Sequence, residues 1–183
     1  MKVRVNMLEI ELKFSVNNFD EVINKLKELG CTPAQPVEET NHILDLPGTP
    51  LRFKDIVFRL RNDVKGTLLT IKKPIPCSQL KVRNEIETTL DCSIEDAVNL
   101  FEHLGYGVVF TYEKKRRECM LKHAQVCLDE LWFGKFIEIE ANSDEDLLEA
   151  VELLGLNFSE GIRFSYPALE TEARKVSDTK RRE

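Results

Sequence analysis

Glu-Ile-Glu occurs three times in this 183-residue chain, at Glu9–Glu11, Glu85–Glu87 and Glu138–Glu140. Side chains alternate along an extended chain, so each triplet turns two carboxylates to one face, roughly 6–7 Å apart, and its isoleucine to the other. The first copy runs on through Leu12, Lys13 and Phe14, which makes one face Glu, Glu, Lys and the opposite face Ile, Leu, Phe. Paired carboxylates hold hard divalent cations such as Mg²⁺ or Mn²⁺, and a lysine holds phosphate. Glu9, Glu11 and Lys13 are therefore the candidate catalytic group of a metal–phosphate site.

Other segments alternate in the same way. Arg59 and Arg61 stand opposite Phe58 and Leu60, and Thr70 and Lys72 opposite Leu69 and Ile71. Arg83, Glu85 and Glu87 form one row, Lys114 and Arg116 another, Glu138 and Glu140 a third, and Asp129 lies between Leu128 and Leu131. A one-residue slip in Lys114–Arg117 would instead turn Lys115 and Arg117 inward. An open sheet would simply wet such faces. Charges of both signs repeated over so many strands point instead to a closed antiparallel barrel with a polar interior. There each charge needs a partner or a ligand. A triphosphate with its divalent metal serves both signs, with Lys and Arg on phosphate oxygens and Glu and Asp on the cation. No GxxxxGK[ST], GxGxxG or GxSxG pattern offers a P-loop, dinucleotide or serine-hydrolase alternative.

The elements that must position these residues follow from periodicity. Strands are expected at 7–16, 40–46, 55–62, 67–73, 83–91, 108–119, 124–131 and 134–141, with a hairpin turn from Asp63 to Gly66. After each Glu-Ile-Glu strand comes a helix that ends in Leu-Gly, near 18–30, 94–105 and 144–155. Asn17-Asn18, Ser93 and Ser143 are its expected caps. These helices should cover the outward apolar residues Ile10, Leu12, Ile86, Ile137 and Ile139. The fold class is thus α+β, a closed eight-stranded antiparallel tunnel with helices outside, in one domain over 1–171. Residues 172–183 lack an apolar stripe and read as a frayed helix end or tail.

Composition narrows the function classes. The chain is 42% hydrophobic and 32% charged with net charge −6, which fits a globular protein without a basic face for nucleic acid. No apolar run nears the roughly 20 residues of a membrane span, and no secretory segment opens the chain, so a cytoplasmic protein is expected. Five cysteines (31, 77, 92, 119, 127) show no CxxC spacing and read as structural thiols, with Cys119 and Cys127 facing each other across a hairpin. The three histidines are scattered, which leaves zinc without ligands.

The ordered set of motifs resembles the CYTH family, the triphosphate-tunnel metalloenzymes that include class IV adenylate cyclases, thiamine triphosphatases and inorganic triphosphatases. The match runs through Glu9-x-Glu11-x-Lys13, Arg59-x-Arg61, Thr70-x-Lys72 with Pro74, and Arg83-x-Glu85-x-Glu87. It continues through Lys114-x-Arg116, Leu128-Asp129, Gly134-x-Phe136-x-Glu138-x-Glu140 and a closing Arg163-Phe-Ser165-Tyr166. The resemblance implies metal on Glu9, Glu11, Asp129, Glu138 and Glu140, with Glu85 and Glu87 as further candidates. It implies phosphate on Lys13, Arg59, Arg61, Lys72, Arg83, Lys114 and Arg116. Relatives often carry Asp and Tyr in the second strand, where Asn41 and Ile43 stand here, so substrate selection at that end is where this chain departs. Lys72 with Pro74, and the Phe-Ile-Glu-Ile-Glu run, resemble the cyclase-like branch.

Two chemistries fit such a site. A ribose 3′-hydroxyl can attack the α-phosphate and expel pyrophosphate, or a positioned water can attack the terminal phosphate. Lys13 or a lumen carboxylate is the expected base. The expected partner is a triphosphate-bearing small molecule, and a homodimer is compatible with the reading. A non-catalytic polyphosphate- or nucleotide-binding module is the third alternative.

Overall fold

Alternation decides the architecture: strands with one apolar and one charged face bury both only if the sheet curls until its charged face encloses a lumen. The computed structural model describes residues 3–64, 66–75 and 81–180. Its strands are β1 (Val3–Val16), β2 (Val37–Asp45), β3 (Val57–Asp63), β4 (Gly66–Pro74), β5 (Lys81–Leu90), β6 (Gly107–Leu121), β7 (Ala124–Leu131) and β8 (Gly134–Ala141). They close into an antiparallel barrel in the order β1-β5-β4-β3-β2-β6-β7-β8. Helices α1 (Asp20–Glu28), α2 (Pro50–Phe53), α3 (Ile94–His103), α4 (Asp144–Leu153) and α5 (Tyr166–Lys180) lie outside the strand wall. Among the described residues no helix is long and apolar enough to cross a membrane.

The outward rows make the core. Ile10, Leu12 and Phe14 of β1 and Ile137 and Ile139 of β8 pack with Val22 and Leu26 of α1 and Leu147, Ala150 and Val151 of α4. Leu12, Leu26, Ile139 and Leu147 are fully buried, each worth about 1.5–3 kcal/mol relative to exposure. A second cluster joins Leu44, Phe58 and Leu60 to Ala97, Val98 and Phe101 of α3. Helix α3 thus covers β3, β4 and β6 rather than the strand that precedes it, and Ile86, expected under a helix, is only half-buried.

The three strand–helix units do share one design. Ser93 and Ser143 accept from Asp96 N and Asp146 N, as capping residues should. Gly30, Gly105 and Gly155 follow with φ of +80°, +90° and +70°. The next amides reach back from Cys31 to Leu26, Tyr106 to Phe101 and Leu156 to Val151. Helix α1 differs at its start. Its capping position is Phe19, without a side-chain bond, while Asn18 Oδ1 accepts from Asp20 N at 3.0 Å.

One further expectation is corrected by register. Cys119 pairs with Val126 and Cys127 with Glu118, so the two thiols lie on opposite faces of the β6–β7 hairpin. Cys127 is buried on the lumen side, Cys119 is near Cys31 outside, and Cys77 lies outside the described residues. The segment read as a frayed end is helical as far as Lys180, and mostly exposed.

After α4 the chain returns to β1, where Ile162 and Lys13 exchange both backbone hydrogen bonds, at 3.1 and 2.7 Å. Gly161 permits this approach. A Cβ there would meet Leu12 Cδ1 at 2.6 Å and Cδ2 at 2.7 Å. Gly161→Ala should therefore destabilise the protein by about 1–3 kcal/mol through overpacking against a fully buried leucine. Urea denaturation checks this, and an unchanged midpoint would show that Leu12 yields freely.

Candidate functional site

The inward rows enclose a cavity of about 1270 Å³, above the ~300–1,000 Å³ of ordinary small-molecule sites. Every residue named from sequence as metal- or phosphate-binding stands in or beside it except Asp129, which is fully buried behind Lys114 and Arg116. Register settles the Lys114–Arg117 alternative. Lys114 and Arg116 are buried inward, while Lys115 and Arg117 are exposed.

Opposite charges interlock along the wall. Lys13 Nζ stands 3.2 Å from Glu11 and 3.5 Å from Glu138. Lys72 bridges Glu9 at 2.5 Å and Glu85 at 3.2 Å. Arg116 donates to both oxygens of Asp129, at 2.7 and 2.6 Å, and reaches Glu138 at 3.3 Å and Glu140 at 3.4 Å. Lys114 touches Asp129 at 3.1 Å and Glu39 at 3.5 Å. Arg61 meets Glu39 at 3.4 Å and Glu87 at 3.7 Å, and Thr70 donates to Glu87 at 3.3 Å.

Three guanidiniums keep spare capacity. Nε of Arg59, Arg61 and Arg83 is buried without a hydrogen-bond partner, and Arg59 Nη2 donates to Thr70 Oγ1 at 3.2 Å. Arg83 stands apart from the other cations: its Nη2 donates to Asp55 Oδ1 at 2.7 Å, on the loop between β2 and β3 at the tunnel mouth. Asp55 adopts φ +53°, an uncommon conformation for a residue other than glycine.

The charges do not balance locally, and their protonation shows it. Burial raises the Glu140 carboxyl to about 8; Arg116 opposes this, and the neighbouring Glu138 and Glu9 reinforce it. Glu9 is also raised, by burial first, with Lys72 opposing and Glu11 and Glu85 reinforcing. Burial alone would raise Glu39, but Lys114, Arg116 and Arg61 outweigh it and hold the carboxyl at about 2. Burial would strip the Lys13 proton, yet Glu11 and Glu138 prevail and push its pKa up. Lys13, one of the expected bases, is thereby kept a cation in the ligand-free protein.

Among the described residues no three His, Cys, Asp or Glu side chains stand together as a ready-made metal site. The donor set nevertheless suits a hard cation. Glu9 and Glu11 of β1 lie beside Glu138 and Glu140 of β8, with Glu11 directly opposite Glu140, and all offer oxygen. Lumen lysines and arginines now engage several of these carboxylates. Asp129, by contrast, accepts from Arg116, Lys114 and, at 2.7 Å, the Tyr166 hydroxyl.

Sequence reasoning missed the part played by Glu39, which joins Arg61 to Lys114. Asn41, the second-strand position singled out from sequence, is fully buried beside Arg61 and Tyr112 and leaves both side-chain polar atoms unpartnered. Asp45 lines the cavity and caps the loop before α2, accepting from Leu46, Leu51 and Arg52 amides. One end of the lumen is aromatic rather than charged, where Tyr112, Phe136 and Tyr166 cluster with Phe110 and Ile43. The signal was available: Phe110-x-Tyr112 and Phe136 continue the very rows that hold Lys114 and Glu138.

The Glu140 shift has a definite sign. Its carboxyl titrates near 4.5 when unfolded and near 8 in the fold. Between those values the unfolded chain has released the proton and the folded chain has not, so this group lowers stability as pH rises through that window. Glu39 and Asp129 act oppositely, contributing stability that is lost as pH falls below the ordinary carboxylate range. Glu140→Gln in metal-free buffer should gain stability over the parent progressively from about pH 5 to about 8 and then hold level. Urea titrations across that range check it, and a pH-independent difference would exclude the shift.

Comparison with known proteins agrees with the architecture. A protein of Methanocaldococcus jannaschii, provisionally named an adenylate cyclase, is 25% identical over 170 residues, covering 87% of this chain and 97% of the relative. A Vibrio parahaemolyticus structure with the same provisional name superposes with a TM-score of 0.75 at 22% identity, covering 91% of this chain and 99% of that one. A Hippeastrum protein, described as an adenylyl cyclase candidate with a dominant triphosphatase activity, matches with a TM-score of 0.63 at 16% identity, covering 89% and 94%. The CYTH domain model matches residues 7–162, and this chain belongs to that family.

Proposed function

We propose that the protein is a divalent-metal-dependent enzyme acting on a triphosphate in its tunnel, of the class IV adenylate cyclase type. One observation carries the reading. The same closed wall holds buried guanidiniums with unpartnered donors and carboxylates whose pKa is pushed up by burial and by one another. A metal–triphosphate relieves both at once, because its phosphates take the donors and its cation takes the carboxylates. Glu9, Glu11, Glu138 and Glu140 would hold Mg²⁺ or Mn²⁺, with Glu85 and Glu87 near enough in the row to assist. When bound, the ion neutralises phosphate charge and makes phosphorus a better electrophile.

The chain's own residues do the rest. Lys13, Lys72 and Arg116, held protonated by lumen carboxylates, stabilise charge with Lys114 as it develops on the leaving oxygens. Arg59 and Arg61 supply bidentate donors that fix the phosphate chain in register. Arg83, on Asp55 at the mouth, would meet a phosphate only by exchanging that partner. The cavity leaves room for a nucleoside, which supports attack by a ribose hydroxyl.

A second reading, hydrolysis of an organic or inorganic triphosphate such as thiamine triphosphate or tripolyphosphate, has its own support. Asp45, in the segment expected to select a nucleoside, lines the cavity but has its carboxylate taken by loop amides, and the neighbouring lumen position is the uncharged Ile43.

Incubation with ATP, and separately with tripolyphosphate, in Mg²⁺ or Mn²⁺ followed by phosphorus NMR tests both readings. Cyclic nucleotide with pyrophosphate is the expected outcome, orthophosphate would favour the second reading, and binding without turnover would overturn the enzyme. Glu9→Gln should lose metal activation while it stays folded, and unchanged Mn²⁺ titration would remove Glu9 from the ligand set. Arg59→Ala with Arg61→Ala should weaken tripolyphosphate binding about hundredfold by calorimetry, on the basis of two lost charge-assisted contacts.

A further inference from the structure

We infer that Tyr166 is a positioning residue of the lumen. Acting through Asp129, it sets where Lys114 and Arg116 present their charges, and its ring holds the ammonium groups of Lys13 and Lys114 in place. The inference deepens the proposed triphosphate reading and rests on it for the ligand, though not for the geometry.

Tyr166 reaches the tunnel because the chain folds back. Ile162 is tied to Lys13 on β1, and four residues later Tyr166 opens α5 with its side chain only 4% exposed. Its ring is wedged against Phe136 at 5.6 Å and Tyr112 at 6.2 Å between centroids, which restricts its orientation. The Nζ atoms of Lys13 and Lys114 each stand 5.2 Å from the ring centre. These lysines sit on β1 and β6, which β7 and β8 separate along the wall. One ring therefore spans two cations that no backbone ladder joins, each within cation–π range.

The hydroxyl acts on a different partner. Asp129, 0% exposed, receives Arg116 Nε on Oδ1, and Arg116 Nη2, Lys114 Nζ and Tyr166 Oη on Oδ2. A buried carboxylate needs its lone pairs filled to stay in place. A third cation would do so but would add charge to the wall. The phenol fills the shell without adding charge, so Asp129 anchors Arg116 and Lys114 while their other contacts reach Glu138, Glu140 and Glu39 along the lumen. On this account Asp129 acts as the anchor of the cation pair, which is a different role from the metal ligation expected of it.

Tyr166→Phe separates the two functions, because it keeps the ring and removes the donor. Tripolyphosphate binding by calorimetry in EDTA should weaken about fivefold to twentyfold, the scale of one hydrogen bond to a charged group. Tyr166→Leu should weaken it further. In an Asp129→Asn background the Tyr166→Phe effect should disappear, whereas full additivity would overturn the coupling. A ligand-free readout decides the case where wild-type protein takes no tripolyphosphate either in EDTA or in Mg²⁺, a result that would sink the triphosphate reading alone. The Arg116 Nε–H resonance, protected by Asp129, should shift and broaden in Tyr166→Phe while the backbone amide spectrum elsewhere is retained. An unmoved Arg116 resonance would overturn the positioning role.

Discussion

A charge inside a closed barrel cannot turn to bulk water, and the rest of this structure follows from that constraint. Each lumen lysine or arginine must find a carboxylate, and each carboxylate a cation, within the same narrow wall. The protein meets this with shared rather than private pairs. Lys72 lies between Glu9 and Glu85, Arg61 between Glu39 and Glu87, and Arg116 among Asp129, Glu138 and Glu140. Sharing leaves the network compensated overall but uneven in places, and the raised Glu140 and the depressed Glu39 mark where acids and bases are locally in excess. Buried ion pairs contribute little net stability because desolvation offsets their attraction. Their retention across the whole wall is easier to understand as preparation for a ligand that carries both signs.

Stability has to come from the other side of the same strands. The residues that alternate with the lumen charges, Ile10, Leu12, Leu60, Leu128, Ile137 and Ile139, are almost entirely buried. A barrel strand here thus carries site and core on opposite faces, and shifting it by one residue would ruin both. That coupling explains why strand register decided so much: which of Lys114–Arg117 face inward, why Cys119 and Cys127 cannot meet, and why Glu11 stands opposite Glu140.

The ends of the tunnel are built differently from its wall. At one end the loop from Asp45 to Ile56 is held by carboxylate caps and by the Arg83–Asp55 pair. Beside it stands the aromatic group of Tyr112, Phe136 and Tyr166. The returning segment that brings Tyr166 in depends on Gly161, which lets the backbone lie directly on Leu12. In this way a residue far from the first strand in sequence comes to stand against Lys13.

Much of this was legible in the residues alone. Period-two alternation of charge over many strands is itself an argument for closure, since no open sheet needs both faces specified so strictly. The ordered motifs also named the lumen residues, and the Ser…Leu-Gly segments marked α3 and α4 at both ends, because capping and left-handed termini are local chemistry. Local chemistry does not say which strand a helix will cover, and α3 went to β3, β4 and β6. Nor does it say which lumen charge meets which. That Arg83 would take Asp55, and that Asp129 would take a tyrosine from the last helix, depend on residues distant in sequence. Alternation along a strand is dictated by the geometry of one chain, whereas pairing across a closed lumen is decided only when eight strands and a returning helix share one enclosed volume.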